Sequence, residues 1–252
     1  MMPLVFPLGF RSTAGQQGPA LTLNGTDEYL SRTPASASSN RRLMTWSAWV
    51  YRNSLTNPDS LMQSYQAAST GRLYIENGGS IVYRETTISP SFNTLSALVF
   101  SSEIVPADQW VHVFVVKNGN EAASERIRFW IDGVESGKTV TLAAPVEATN
   151  FAVGLPHYIG RDVTSGAYFD GKLAHYHYLD AVAGSVSDFG ETQGGVWKAK
   201  SPTGLSYGNN GFFLDFANPA DLGNDAGSTH DQTLTNIDSS NATSDGPPLL
   251  EV

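Results

Sequence analysis

Hydrophobic and polar residues alternate with a period of two over much of this chain, and no segment of useful length keeps apolar residues at i, i+3, i+4 and i+7. Strand side chains change faces at every residue, whereas helical ones return to the same face after three or four, so the pattern predicts an all-β protein with helix as a minor component. Over residues 45–52, Trp46, Ala48 and Val50 alternate with Ser47, Trp49 and Tyr51, which suits a strand covered on both faces. Residues 110–117 are an almost unbroken run of β-formers and predict a central strand buried on both sides. Residues 73–75 and 81–83, separated by Asn77-Gly78-Gly79, read as a hairpin. A second hairpin turns at Asp132-Gly133, which suits a type I′ turn, and sends Ile127, Phe129 and Ile131 inward while Arg126, Arg128 and Trp130 face outward. Further strands are predicted at 21–23, from Tyr29 towards Pro34, and at 158–160, 171–179 and 211–216. Residues 218–245 should be mostly loop, with one short strand near 232–237. The first and last strands are expected to pair and close the sandwich.

Length and charge narrow the classes. A chain of 252 residues suits one β-sandwich, with 24 Gly and 13 Pro to punctuate its short strands. We divide it into an N-terminal arm (1–19), a sandwich (20–247) and a C-terminal tail (248–252). The 15 basic residues face 24 acidic ones, a formal charge of −9, which opposes binding to a phosphate backbone; no nucleic-acid partner is expected. The chain has no cysteine, so packing alone must hold it. The first ten residues are apolar but broken by Pro3 and Pro7, and lack the features of a signal peptide. No apolar run approaches the roughly 20 residues of a spanning helix, so no membrane insertion is expected.

Four segments in order, residues 28–34 (Glu-Tyr-Leu-Ser-Arg-Thr-Pro), 45–52 (Thr-Trp-Ser-Ala-Trp-Val-Tyr-Arg), 110–116 (Trp-Val-His-Val-Phe-Val-Val) and 126–133 (Arg-Ile-Arg-Phe-Trp-Ile-Asp-Gly), resemble the laminin-G-like, concanavalin A-like jelly rolls. Residues 156–161, 168–174, 188–197 and 208–216 narrow the resemblance to jelly-roll proteins frequent among tailed, especially marine, bacteriophages, which are thought to be virion structural or fibre-type proteins. The resemblance spans about residues 20–247. It implies a concanavalin A-like (laminin-G-like) jelly-roll β-sandwich of two antiparallel sheets. It also implies a virion-surface protein, as capsid decoration or tail-tip or fibre-type subunit, made in the host cytoplasm. The implied partners are other virion proteins, copies of itself and host-surface polysaccharide. The chain departs from the group at residues 224–231, where Asn-Asp-Ala-Gly-Ser-Thr-His-Asp replaces the usual Asp-Ser-Ser-Gly-Asn-Gly-Asn type loop.

Glycanases on such a scaffold place two carboxylates about 5 Å apart on one face, often as Glu-x-Asp-x-x-Glu. This chain has no such run, and Glu76, Glu85, Glu103, Glu121, Glu125 and Glu135 all fall near predicted turns or strand ends, so no enzyme is expected. His175 and His177, two apart on a strand, should share a half-exposed face opposite a core of Ala174, Tyr176 and Tyr178. Laminin-G-like domains often hold a calcium ion at the rim, and the resemblance makes Asp162 and Asp170, which flank the 161–171 loop, its candidate ligands; the same residues also suit ordinary turns. Trp46, Trp49 and Trp110 fit a core pattern. Trp130 and Trp197, with Arg128 and Tyr168, are the candidate ligand-binding residues, because aromatic faces beside arginine suit sugar or protein contacts.

Overall fold

The computed structural model describes residues 17–66, 69–89, 92–148, 150–151 and 154–250. In chain order the strands are β1 (Ala20–Asn24), β2 (Tyr29–Arg32), β3 (Leu43–Arg52), β4 (Asp59–Gln66), β5 (Ser69–Ile75), β6 (Ser80–Ser89), β7 (Phe92–Ile104), β8 (Trp110–Asn118) and β9 (Ile127–Ile131). They continue as β10 (Val134–Glu135), β11 (Lys138–Leu142), β12 (His157–Ile159), β13 (Asp170–Asp180), β14 (Gly190–Gln193), β15 (Val196–Ala199), β16 (Phe212–Leu214), β17 (Thr233–Thr235) and β18 (Ala242–Thr243). The helical elements among the described residues are three short 3-10 turns, and none is long and apolar enough to cross a membrane.

Two antiparallel sheets result. Sheet A runs β10-β9-β8-β3-β13-β1-β18, with β16 also paired to β13; sheet B runs β11-β7-β6-β5-β4-β12-β2-β17. The alternation read from residues 45–52 is realised: Trp46, Ala48 and Val50 enter the core between the sheets, joined by Val111, Val113 and Val115 from β8 and by Ile127 and Phe129 from β9. Sheet B closes this core with Leu61, Leu73, Ile75, Ile81, Tyr83 and Val99. The β9–β10 turn has Asp132 and Gly133 at φ 47° and 78°, the left-handed values that a type I′ turn needs at both central residues. The Asp132 carboxylate locks this turn by accepting the backbone N–H of His112 at 2.8 Å.

The first and last strands do pair, Ala20 with Thr243 and Leu21 with Ala242. The pairing extends past the boundaries expected for the sandwich: Gln17 bridges to Pro248, and Leu250 N–H donates to Ala199 O at 2.9 Å. Residues 17–19 of the expected arm (1–19) and 248–250 of the expected tail (248–252) therefore pair with the folded body, while residues 1–16 and 251–252 lie outside the described residues.

Sheet A is covered on its outer side too. The segment after β13 carries the β14–β15 hairpin back over this face, where Phe114, Leu179, Phe189, Tyr207 and Phe213 form a second apolar cluster. Trp49, Ala20, Ala174 and Ala199 form a third. This third layer corrects the reading of one of the two histidines, for His175 is half-buried as expected and His177 is not. Strand β13 bulges between Ala174 and His177, and His175 takes φ 42°, so the simple alternation breaks there. Tyr176 and Tyr178 do face the main core, but Ala174 faces the outer cluster. His177 is not half-exposed: it is buried, stacked on Phe213 with ring centroids 4.1 Å apart, and its Nδ1 pairs with the Tyr207 hydroxyl at 3.1 Å. Glu85 is likewise not at a strand end but buried within β6, where it accepts the Tyr83 hydroxyl at 2.8 Å.

Candidate functional site

Outward alternation on β8 and β9 places Phe114 and Val116 beside Arg128 and Trp130, with Phe114 opposite Trp130 in the ladder. The chain returning through residues 183–186 leaves a gap above them, an open groove of about 340 Å³. Phe114 and Val116 form its apolar floor. Trp130 stands edge-to-face on Phe114, centroids 5.0 Å apart at 72°, and the Arg128 guanidinium lies 4.8 Å from the Trp130 ring centre. Polar groups enter from the ends: Asn118 and Glu121, joined by a 3.3 Å hydrogen bond, and Ser185 on the opposite wall. Arg128 is held by Glu135 through two charge-assisted bonds, Nε to Oε1 at 2.6 Å and Nη2 to Oε2 at 2.5 Å. The same pairing holds the Glu135 carboxyl below the usual carboxylate range. A groove of this size with an apolar floor and a few polar groups suits a small ligand.

The structure distributes the four sequence-predicted ligand residues over three places. It brings Arg128 and Trp130 together in the groove. Trp197 is elsewhere and serves the fold. Its indole lies flat on two glycines, so that a Cβ at Gly133 or Gly190 would fall about 2.5 Å and 2.4 Å from ring atoms. Its Nε1–H donates to Nδ1 of His112 at 3.1 Å, fastening the β14–β15 hairpin to sheet A. Tyr168 joins Tyr29, Tyr158 and Arg161 on the outer side of sheet B. Of the tryptophans expected in the core, Trp46 and Trp49 are buried, but Trp110 is half-buried on the outer face of sheet A and donates to Asp245 O at 3.1 Å.

Asp162 and Asp170 also have local tasks. Asp162 Oδ1 accepts from Gln63, from Thr164 N–H and from its hydroxyl, while Oδ2 takes the Ser165 hydroxyl and the Arg72 guanidinium. Both oxygens are spent on holding the 162–166 turn, the ordinary-turn reading. Asp170 accepts Asn53 Nδ2 at 2.8 Å. Among the described residues no group of three or more His, Cys, Asp or Glu side chains is arranged to hold a metal ion. The variant loop at 224–231 is organised in the same manner, with Asp225 accepting the N–H groups of Phe213, Gly227, Ser228 and His230.

The sequence reading missed Phe114, Asn118, Glu121 and Ser185, because the groove exists only once residues 183–186 fold back over sheet A. It also missed Tyr29, Tyr158 and Arg161. Tyr29 and Tyr158 flank Leu30 and Ile159, which point into the core, so alternation alone places both tyrosines outward.

Two stacked antiparallel sheets with a covered outer face and an open aromatic groove define a concanavalin A-like jelly-roll sandwich. The chain belongs to the concanavalin A-like lectin/glucanases superfamily, whose laminin G type 3 model matches residues 24–183, more than half of its length. No curated protein matches it. Among solved structures it is similar to a Bacteroides ovatus protein assigned by name to carbohydrate binding, at 12% identity and a TM-score of 0.54, over 94% of this chain and 62% of that one. It is also similar to a heptameric pentraxin of Limulus polyphemus (14% identity, TM-score 0.45, 68% of this chain and 80% of that one). A third likeness is to domains LG4-5 of mouse laminin alpha1 (14% identity, TM-score 0.45, 73% and 50%). At 12% identity the likeness to the Bacteroides ovatus protein shows the fold alone.

Proposed function

We propose that this chain is a saccharide-binding protein that holds its ligand at the Arg128–Trp130 groove without breaking it, displayed on the surface of a bacteriophage particle as a decoration or tail-tip subunit. The observation that carries the binding role is the groove itself: the half-buried Trp130 ring, seated on the buried Phe114, gives an apolar surface for a sugar ring, and Asn118, Glu121 and Ser185 line the groove with hydrogen-bonding groups. The absence of chemistry is supported by the carboxyl groups present. A glycosidase needs two carboxyl groups flanking the scissile bond, and among the groove's lining residues Glu121 alone carries one. The carboxyls that burial does raise, Asp59, Asp132 and Asp180, do not line the groove.

The particle-surface role rests on the resemblance of segments 156–161, 168–174, 188–197 and 208–216 to phage jelly rolls. A glycan array, run with wild-type protein and Trp130→Ala, tests the binding role: defined neutral saccharides are retained by the wild type and lost by the variant at a temperature where circular dichroism shows both folded. A silent array together with a stable ring in light scattering would favour a purely structural subunit, and release of reducing sugar would overturn the non-enzymatic reading.

A further inference from the structure

Across the molecule from the groove, on the outer side of sheet B, one arginine is surrounded by tyrosines. The Arg161 guanidinium lies 4.6 Å from the ring centre of Tyr29, 5.7 Å from that of Tyr168 and 5.9 Å from that of Tyr158. Tyr29 in turn sits 6.0 Å from Tyr158 and 6.4 Å from Tyr168. All four side chains are half-buried, which leaves part of each open to solvent. The arrangement is anchored: β12 pairs with β2 to set Tyr158 opposite Ser31, and Arg161 bridges to Tyr168 across the next turn.

Arg161 shares with Arg32, Arg42, Arg84 and Arg126 the lack of an ion-pair partner among the described residues, and is set apart from them by the three tyrosine rings around it. Arg41, Arg52, Arg72 and Arg128 each meet a carboxylate, but among the described residues no carboxylate lies within ion-pair distance of Arg161. The carboxylate next in sequence, Asp162, is committed to Arg72 and its own turn. Arg161 Nε is buried without a hydrogen-bond partner. Stacking on tyrosines leaves the edge of a guanidinium, where its N–H donors lie, as the part that an anion engages. Beside this cluster and sharing Tyr158 is a depression of about 200 Å³ lined by the hydroxyl-bearing Ser31, Thr33 and Thr233 and by Arg32, whose guanidinium donates to Asn210 O at 3.3 Å.

We infer that this surface is a second saccharide subsite, selective for a sugar that carries a carboxylate. The guanidinium takes the carboxylate through paired N–H donors, a tyrosine face takes the ring, and the hydroxyls of the depression meet the neighbouring unit. A chain of net charge −9 repels an acidic polymer at long range, so an arginine without a counter-charge is where such a polymer would be held. The subsite rests on the same reading of the chain as a saccharide binder, but on residues and a sheet that the Trp130 groove does not use.

Calorimetric titration of the full chain with oligogalacturonide and alginate oligomers, with their carboxyl-reduced forms and with dextran sulfate, tests it. Wild-type protein binds at least one uronate oligomer, and at least tenfold more tightly than its reduced form. Arg161→Gln lowers that affinity at least tenfold, and Thr233→Glu, at an exposed position where folding is not at stake, does the same by placing a negative charge on the rim. Trp130→Ala leaves uronate binding unchanged while abolishing retention of neutral saccharides on the array, so the two sites fail separately. Binding of no uronate oligomer, equal binding of acid and reduced forms, equal binding of dextran sulfate, or indifference to either Arg161→Gln or Thr233→Glu overturns the assignment.

Discussion

The indole N–H of Trp197 donates to Nδ1 of His112 across 3.1 Å. Because Nδ1 accepts, the neutral imidazole carries its proton on Nε2, which therefore donates to Ser47 Oγ at 2.8 Å. A serine nucleophile needs its histidine to accept, so this buried Ser–His pair runs in the wrong direction for catalysis and serves as a strut between β3, β8 and the β14–β15 hairpin. Trp197→Phe removes the donor and leaves Nδ1 unpaired, at an expected cost of about 1–2 kcal/mol. Trp197→Ala also empties the space over Gly133 and Gly190, at about 2–4 kcal/mol. Urea unfolding measures both, and equal stability of the two variants would show that the indole packing contributes nothing.

Stability should fall in mild acid, before most carboxylates titrate. Burial holds His112 down to about 3 and His157 to about 4, and drives His177 well below its ordinary value. Below about pH 6.5 the unfolded chain takes up protons on these residues that the folded chain refuses. The stability they contribute is thus present at neutral pH and is lost as pH drops towards the folded values. Each contributes a slope of up to about 1.4 kcal/mol per pH unit. Asp132, raised by burial to about 6, works in the opposite sense below that pH, as do Asp59 and Asp180, and they make the slope shallower without reversing it near pH 6. The expected result is a lower urea midpoint at pH 5.5 than at pH 7.5; a flat profile would contradict the burial of these three rings.

Much of the main core was legible. Residues 45–52 and 126–133 alternate cleanly because both belong to strands with one face on the inter-sheet core, and Asp132-Gly133 announced its turn. The outer layer was not, because alternation reports which side a residue faces and not what covers that side. His177, Leu179 and Phe213 point away from the main core yet are buried under Phe189 and Tyr207. The bulge at His175 adds one residue to one strand, which no local composition signals. For the sites, alternation brought Arg128 and Trp130 to one face, but their groove depends on residues some 55 positions further along the chain, a placement fixed by tertiary packing.

One buried ion pair ties the strand ends on the side of the molecule that carries Asp170. Arg52 Nε donates to Asp59 Oδ2 at 2.5 Å, Arg52 also reaches Val105 O, and Asp59 Oδ1 accepts the N–H of Asp170. Removing one partner strands the other charge out of water, so Arg52→Leu should cost about 3–5 kcal/mol. The double substitution Arg52→Leu with Asp59→Leu should cost less than the single, because no uncompensated charge remains. A double-mutant cycle by chemical denaturation decides it, and additive losses would mean that the pair is not coupled.

Calcium at Asp162 and Asp170 makes a sharp contrast with their local bonding. A cation on Asp162 would have to displace the Arg72 guanidinium and break the contacts from Thr164, Ser165 and Gln63 that hold the 162–166 turn. A ligand present at one hundred times its Kd and bound only to the folded state adds about 2.7 kcal/mol, a shift of several degrees in melting temperature for a small domain. The expected outcome is therefore no shift between millimolar calcium and excess chelator, and a melting temperature lowered by Asp162→Ala equally in both. A calcium-dependent rise in the wild type that Asp162→Ala abolishes would show that the ion outcompetes Arg72, and would restore these aspartates as its ligands.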